Sequence, residues 1–207
     1  MGIADCLLQK LVSQHHLRAN YFIYIKIDIF FQMQLTQSSF EYYKNEVYSL
    51  YHLAFPSVER RGWSNLENLV IENPIFNIDI FENEKGFCGF ITNWDFSSFI
   101  YIEHFAIQES QRGGGIGSKI ISSFSEQQTV PIVLEVEQPT TDISKRRIKF
   151  YERHGFHIIS KIYLQPPYDK VSPYIPMFLM SNNDKFVSQD ITAIIKTIYK
   201  QVYDVEK

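Results

Sequence analysis

Two cysteines, Cys6 and Cys88, are all that a chain of 207 residues carries. That is too few for a disulfide framework, and with no secretory signal a reducing cytoplasm is the expected setting. Positive charge is not in surplus: 20 Lys and Arg stand against 23 Asp and Glu, a formal net charge of -3, and the pI is near 6.1. Such a balance offers no general attraction to nucleic acid or to an anionic membrane. No apolar run reaches the roughly 18 residues that would span a bilayer. The nearest, Tyr21 to Phe31, is interrupted by Lys26 and Asp28 and reads as an edge strand or an apolar tail. Internal repeats and linkers are absent too, so one domain is expected. Glycine is scarce, yet four of the nine fall between Gly113 and Gly117.

What is present is an ordinary apolar share, 45%, with 17 Phe and 13 Tyr, so the core or a pocket is rich in rings. Residues 1-32 read as an N-terminal extension outside the fold, because Met33 opens the first well-patterned segment. Ser38-Ser39-Phe40-Glu41 has the form of a capping box ahead of Val47, Leu50, Tyr51 and Ala54 at helical spacing, and Pro56 stops that helix. Ser64-Asn65-Leu66-Glu67 is a second such box, starting a short helix that ends at Asn73-Pro74. Between them lies a polar, basic loop, Glu59 to Trp63. Strands follow at Phe76 to Phe81, Phe87 to Trp94 and Phe99 to Ile107, joined by the turns Asn83 to Gly86 and Asp95 to Ser98. Then come a helix carrying Ile116, Ile120, Ile121 and Phe124, a strand from Val130 to Glu137, and a helix from Ser144 to His154 closed by Gly155. Two more strands, Phe156 to Leu164 and Tyr174 to Met180, precede an amphipathic helix with Ile191, Ile194, Ile195, Ile198 and Val202. The order implies α/β with a mixed sheet, in a domain of residues 33-181 followed by a C-terminal helix within 182-207.

A strand ending at Ile107 that feeds Arg112-Gly113-Gly114-Gly115-Ile116-Gly117-Ser118 and a helix makes an anion site. The first-turn N-H groups converge there and the helix dipole favours negative charge. A nucleotide P-loop would need Lys before the Ser/Thr, whereas Gly117 precedes Ser118. A dinucleotide fingerprint would need a third glycine where Ile120 or Ser118 stands. The pattern that fits is Arg-x-x-Gly-x-Gly, and with it the chain resembles the GNAT superfamily of N-acetyltransferases. Leu134-Glu135-Val136 and Phe150-Tyr151-Glu152-Arg153-His154-Gly155-Phe156 match two further segments of that family, so the resemblance covers about residues 99-157.

The resemblance implies a GNAT-like, mainly antiparallel sheet with splayed central strands and flanking helices, binding acetyl-coenzyme A and no metal. By the same resemblance, the backbone of Phe105, Ala106 and Ile107 would pair with the pantetheine arm. Arg112, Gly113, Gly114, Gly115, Ile116, Gly117 and Ser118 would hold the pyrophosphate. A bulge in the fourth strand would turn one N-H toward the thioester oxygen. The family's Asn and Ala before the tyrosine are replaced by Ser144 and Arg147; Ser144 can still hydrogen-bond the arm. Lys145, Arg146 and Arg147 either approach the 3'-phosphate or form a solvated helix face.

At neutral pH only about one alkylamine in a thousand is unprotonated, a deficit of roughly 4 kcal/mol that a base or a desolvating pocket must offset. Glu103 stands where the family often carries a carboxylate base, and an apolar strand invites a raised pKa. By alternation Glu103 shares a face with Tyr101 and Phe105 while His104, the second candidate, points the other way. Tyr151 matches the tyrosine that protonates the departing thiolate. Glu135 and Glu137 share a face of the fifth strand. The acceptor, an amine on a small molecule or a peptide, is expected between the Glu59 to Trp63 loop and the closing strands, near Trp63, Tyr163 and Gln165-Pro166-Pro167-Tyr168. Pairing of two copies into a homodimer is left open. The competing readings are an acyl-coenzyme A sensor without turnover, and transfer to a hydroxyl or a protein terminus.

Overall fold

The computed structural model describes residues 30-34, 37-169 and 171-206, with residues 37 and 38 described by their backbone only. Most of the expected extension, with Cys6 and the run from Tyr21 as far as Ile29, lies outside the described residues. In chain order the elements are β1 (Phe31–Gln34), α1 (Gln37–Ala54), α2 (Trp63–Glu72), β2 (Phe76–Asn83), β3 (Gly86–Asp95), β4 (Ile100–Ile107), α3 (Ile116–Glu126), β5 (Ile132–Glu137), α4 (Asp142–Glu152), β6 (His157–Gln165), β7 (Ile175–Ser181) and α5 (Ser188–Val202). The described strands form one sheet in the order β1-β2-β3-β4-β5-β7-β6. Every neighbouring pair is antiparallel except β4 with β5. That one parallel pair follows from the helical crossover α3, which carries the chain from β4 directly to its neighbour β5. Among the described residues no helix is long and apolar enough to cross a membrane.

Each sheet face carries its own core. Phe40, Val47 and Tyr51 of α1, Leu66 of α2 and Ile194 and Ile198 of α5 pack with Phe90, Trp94, Tyr101 and Leu179 on one face. Ile120, Ile121 and Phe124 of α3 and Ile148 and Tyr151 of α4 pack with Ile91, Ile102 and Leu134 on the other. Central position explains why β3 is buried along nearly its whole length. The mixed sheet and its flanking helices agree with the fold expected from the sequence.

The helix starts differ from expectation. α1 begins at Gln37, which puts Ser38 inside the helix rather than at its cap. α2 begins at Trp63 behind Gly62, with no side-chain cap, so Ser64 is also internal. Trp63 is pulled into the helix by its ring contacts with Phe40, Tyr48 and Tyr51 of α1, and tertiary packing outweighs the local cap signal. A reciprocal capping box does occur at α4, where Thr141 and Ser144 satisfy each other's backbone N-H. After α4, Gly155 has φ +82°, the left-handed conformation that lets the chain turn into β6.

α5 lies over the end of the sheet that carries β6, and Ile198 is fully buried in that contact. Ile198→Ala is expected to destabilise the protein by about 2–5 kcal/mol in urea denaturation; a loss under about 1 kcal/mol would show that α5 does not depend on this seat.

Candidate active site

β4 and β5 pair only at Ile100↔Ile132, Tyr101↔Val133 and Ile102↔Leu134. Beyond those rungs β4 runs on to Ile107 and β5 to Glu137 without pairing, so the strands part. The cause lies on the other edge of β4. There Asn93 opposes Ile102 and Thr92 opposes His104, leaving Glu103 as an extra residue without a partner on β3. An extra residue bends its strand and increases the local twist, which swings the second half of β4 off β5. The bulge expected in this strand is therefore present.

The bulge also resets the alternation of side chains. Glu103 shares a face with Tyr101 as expected, but His104 does too. The His104 ring packs on Tyr51 and Phe55 of α1, while Phe105 turns to Phe150 of α4 on the opposite face. Strict period-2 counting fails here because one residue has no place in the ladder. The Glu103 side chain is only 1% exposed, yet the residue as a whole is half-buried. Its exposure is that of the main chain, at the point where the strands part.

The glycine loop lies just past the same strand. Gly113 and Gly115 have φ +89° and +75°, and Gly115 is the residue before α3, with no side chain capping the helix. A Cβ built on Gly113, Gly114 or Gly115 would meet nothing within 4 Å, so space lies open above this backbone. The N-H groups of Ile116, Gly117 and Ser118 are the first-turn donors that no intrahelical carbonyl can take. Gly117 has a different task. A Cβ there would sit 2.8 Å from Cδ1 of Ile107, so its absence is what lets α3 close onto β4. Arg112 folds back, its Nε donating to the Ile107 carbonyl at 3.1 Å, and a cleft lined by Lys85, Arg112, Gly114 and Lys119 runs beside it.

On the far side of the gap stands α4. The Ser144 hydroxyl donates to the Thr141 carbonyl at 3.0 Å and accepts from the Thr141 N-H at 3.0 Å, and the residue is 1% exposed. The hydroxyl offered by the sequence as a cofactor contact is thus occupied in capping its own helix. On the same helix Arg147 pairs with Glu137 at 2.7 Å, and Arg146 donates to the Asp142 carbonyl. Tyr151, in the last turn, is buried edge-on against Phe150 and Phe156. Among the described residues nothing hydrogen-bonds its hydroxyl. Burial, slightly offset by Arg147, pushes the phenol up to about 12, so it holds its proton at neutral pH.

Two carboxylates flank the parting point, Glu103 one residue past the last rung on β4 and Glu135 one past it on β5. Their surroundings are opposite. Glu103 accepts from Arg61 Nε at 2.9 Å, Trp94 Nε1 at 2.8 Å and the Tyr168 hydroxyl at 2.8 Å. Burial pushes its pKa up, but the Arg61 charge, with the hydrogen bonds from Trp94 and Tyr168, holds it below the usual carboxylate range. The raised pKa expected for Glu103 is overturned, because a charged partner 42 residues away in sequence reaches it. Among the described residues Glu135 has no cation partner. The hydroxyls of Tyr163 and Tyr101 donate to its Oε1 at 2.5 and 2.7 Å, and Tyr203 lies 3.3 Å from both oxygens. Burial dominates and pushes its pKa up to about 7, the phenols opposing and the Glu103 charge adding.

His104 is committed on both nitrogens. Nε2 lies 3.2 Å from the Glu59 carbonyl, which can only accept, so Nδ1 takes the Thr92 hydroxyl at 3.0 Å. Burial lowers its pKa, which keeps it neutral. Of the residues placed near the acceptor, Tyr163, Gln165 and Tyr168 do converge here; Trp63 instead packs on α1. Arg61 and Tyr203 escaped the sequence reading. Arg61 spans the centre, stacking over Tyr168 at 4.9 Å and Trp94 at 5.4 Å and donating to the Val202 carbonyl. Its one sequence signal was the basic loop. Among the described residues no cluster of His, Cys, Asp and Glu suited to a metal occurs.

Known proteins share this arrangement. The family model for the acetyltransferase (GNAT) domain matches residues 70–158. A protein of Bacteroides thetaiotaomicron assigned to the GNAT family of acetyltransferases is 36% identical, with a TM-score of 0.80 over 85% of this chain and 99% of that one. YjbC of Bacillus subtilis (strain 168), which carries the name of an acetyltransferase, is 31% identical over 105 residues; the match spans 49% of this chain and about half, 52%, of that protein. An aminoglycoside 6'-N-acetyltransferase solved with coenzyme A shares the fold at 16% identity, with a TM-score of 0.52 over 73% of this chain and 95% of its own. With so near a structural relative matched along almost its full length, the chain belongs to the GNAT family of acyl-coenzyme A-dependent N-acetyltransferases.

Proposed function

We propose that the protein moves an acetyl group from acetyl-coenzyme A to a primary amine by direct attack within a ternary complex. The observation that carries this reading is the adjacency of two features: strands that part after Ile102 and Leu134, and open backbone at Gly113 to Gly115 just beyond β4. A bound donor would supply a thioester carbonyl for attack and a thiolate as leaving group. The gap suits the pantetheine arm, with the main chain of Phe105, Ala106 and Ile107 along one wall. The amides of Ile116, Gly117 and Ser118 suit the pyrophosphate, with Arg112 at its side. Ser144, occupied by Thr141, supports the helix that forms the other wall.

Each step draws on this chain's own groups. The half-exposed main chain at the Glu103 bulge offers an N-H to the oxygen that gains charge as the amine adds. Tyr151 gives its proton to the departing sulfur as the carbon–sulfur bond breaks, and its raised pKa keeps that proton in place until then. The amine nitrogen, now bonded to the acetyl carbon, returns a proton to the phenolate. Glu103, charged and locked to Arg61, is fitted to fix the bulge and the loop from Glu59 rather than to accept a proton.

Three outcomes test this reading. Gly115→Asp places a side chain at φ +75° and a negative charge among the amides, and is expected to weaken coenzyme A binding in calorimetry by about 10–100-fold; unchanged affinity refutes the pyrophosphate assignment. Tyr151→Phe is expected to lower kcat by roughly 10²–10⁴ while sparing coenzyme A affinity, and wild-type turnover at every pH would remove its acid role. For Glu103 the folded pKa is the depressed one. Its stabilisation is therefore present above the unfolded value, near 4.3, and fades as pH falls through the folded value. Arg61→Met leaves the buried charge alone and should cost about 3–5 kcal/mol at neutral pH. That loss should shrink toward pH 3–4 as Glu103 takes a proton, measured by denaturation across pH; a loss that is constant across that range would mean Arg61 acts by packing alone.

A further inference from the structure

Beneath the far end of α3 the sheet carries a polar floor that acetyl transfer leaves unused. Asp79 of β2 and Asn93 of β3 are its centre, 7% and 4% exposed. They line a cavity of about 270 Å³ together with Gln34 of β1, Asp95, and Gln127 and Gln128 just past α3. The amide N-H groups here are spent on neighbours. Gln32 Nε2 and Asn93 Nδ2 donate to the two oxygens of Asp79 at 3.1 and 2.7 Å, and Gln34 donates to Asn77. Gln127 donates to Gln32 Oε1 at 2.9 Å and Gln128 to the Phe124 carbonyl at 3.2 Å. Because Asn93 must turn its Nδ2 to the carboxylate, its Oδ1 is fixed at the other end of the amide. Among the described residues nothing donates to that oxygen, and none gives Asp79 a cation partner. No described Lys, Arg or His lines the cavity.

An orphan carbonyl oxygen, a buried carboxylate and the negative end of a helix dipole all require a ligand that is positive and brings its own N-H groups. We infer that this cavity is a binding site for a small organic ammonium ion, which donates to Asp79 and to Asn93 Oδ1 and turns its remaining N-H toward Asp95 at the rim. One buried carboxylate among neutral amides matches a single positive charge. Among the described residues no group of three His, Cys, Asp or Glu gathers as a divalent metal would require. The volume is many times that of one water molecule, and Ile100 and Phe124 wall it, so there is room for carbon beside the nitrogen. Gln32 also accepts from Ser123 of α3 at 3.1 Å, which sets the floor on the α3 side of the sheet. The Glu103 cluster lies on the opposite side, against α1 and α5, so this is a site apart from the acceptor's. α3, 11 residues long or about 16 Å, separates it from the glycine loop. An ion held below Gln127 thus occupies the place of an effector rather than of a substrate.

The probe is methylammonium chloride at pH 8, where the ion keeps its charge. It is titrated into the full chain and followed by backbone amide NMR, with methanol and potassium chloride as parallel arms. Saturable shifts are expected at Gln34, Asp79 and Asn93 with a midpoint on the order of 1 mM, and neither control is expected to reproduce them. Asp79→Asn should weaken binding about tenfold. Gln34→Glu, which adds a charge at the exposed edge strand, should tighten it severalfold. Both variants should bind coenzyme A as wild type does. Shifts that never saturate, or that methanol matches, overturn the proposal in the wild type alone. Equal saturation by potassium overturns it too, since a bare ion would then suffice. Should Asp79→Asn fail to fold, Gln34→Glu decides, and affinity no better than wild type refutes the site. No acyl donor enters these titrations, so they stand or fall independently of the transferase reading.

Discussion

Glu103 has no partner on β3, and the twist introduced there carries the second half of β4 away from β5. A sheet that stayed paired along both strands would have its main-chain groups satisfied internally and no room for an arm between them. With the extra residue in place, one strand loses its neighbour, its backbone is exposed at Glu103, and two side chains of consecutive residues fall on the same face. The gap, the candidate oxygen-binding amide and the position of His104 all follow from that single insertion. A bulge is also a weak point, and here it is held by Arg61, Trp94 and Tyr168 converging on the Glu103 carboxylate.

The two glutamates at the parting point show how little the residue type decides. Both follow the last rung of the β4–β5 ladder, and both accept a hydrogen bond from at least one tyrosine hydroxyl. One has a guanidinium within hydrogen-bond reach and stays ionised; the other, among the described residues, is met by phenols alone, and burial pushes its pKa up to about 7. Paired carboxylates driven apart in this way are a common means of assigning different roles to identical groups.

Element order, the mixed sheet and the loop from Gly113 to Gly117 were legible in the sequence because they rest on local periodicity and on glycine at a strand-to-helix junction. Legibility stopped where long-range contacts decide. Arg61 lies 42 residues from Glu103 and 141 from Val202, and no local pattern announces those partners. Alternation along β4 predicted the face of Glu103 but misplaced His104 and Phe105, since a bulge leaves no mark in the composition of its strand. The capping box read at Ser64 was plausible and unused, while the box at Thr141 passed unread because Ser144 stands where Glu or Gln is the usual signal.

Tyr203 follows Glu135 by 68 residues, and Val202 receives Arg61 from a loop far earlier in the chain. The last turn of α5 and the residue after it therefore hold the groups of the candidate site as well as packing on the sheet. During synthesis the carboxylate at 135 must wait, with fewer phenols around it, until this late segment has emerged and docked. For the same reason a purification tag or fusion partner attached close behind Tyr203 would press on the hydrogen bonds that reach Glu135 at the middle of the sheet, and anything appended there belongs at the end of a generous spacer.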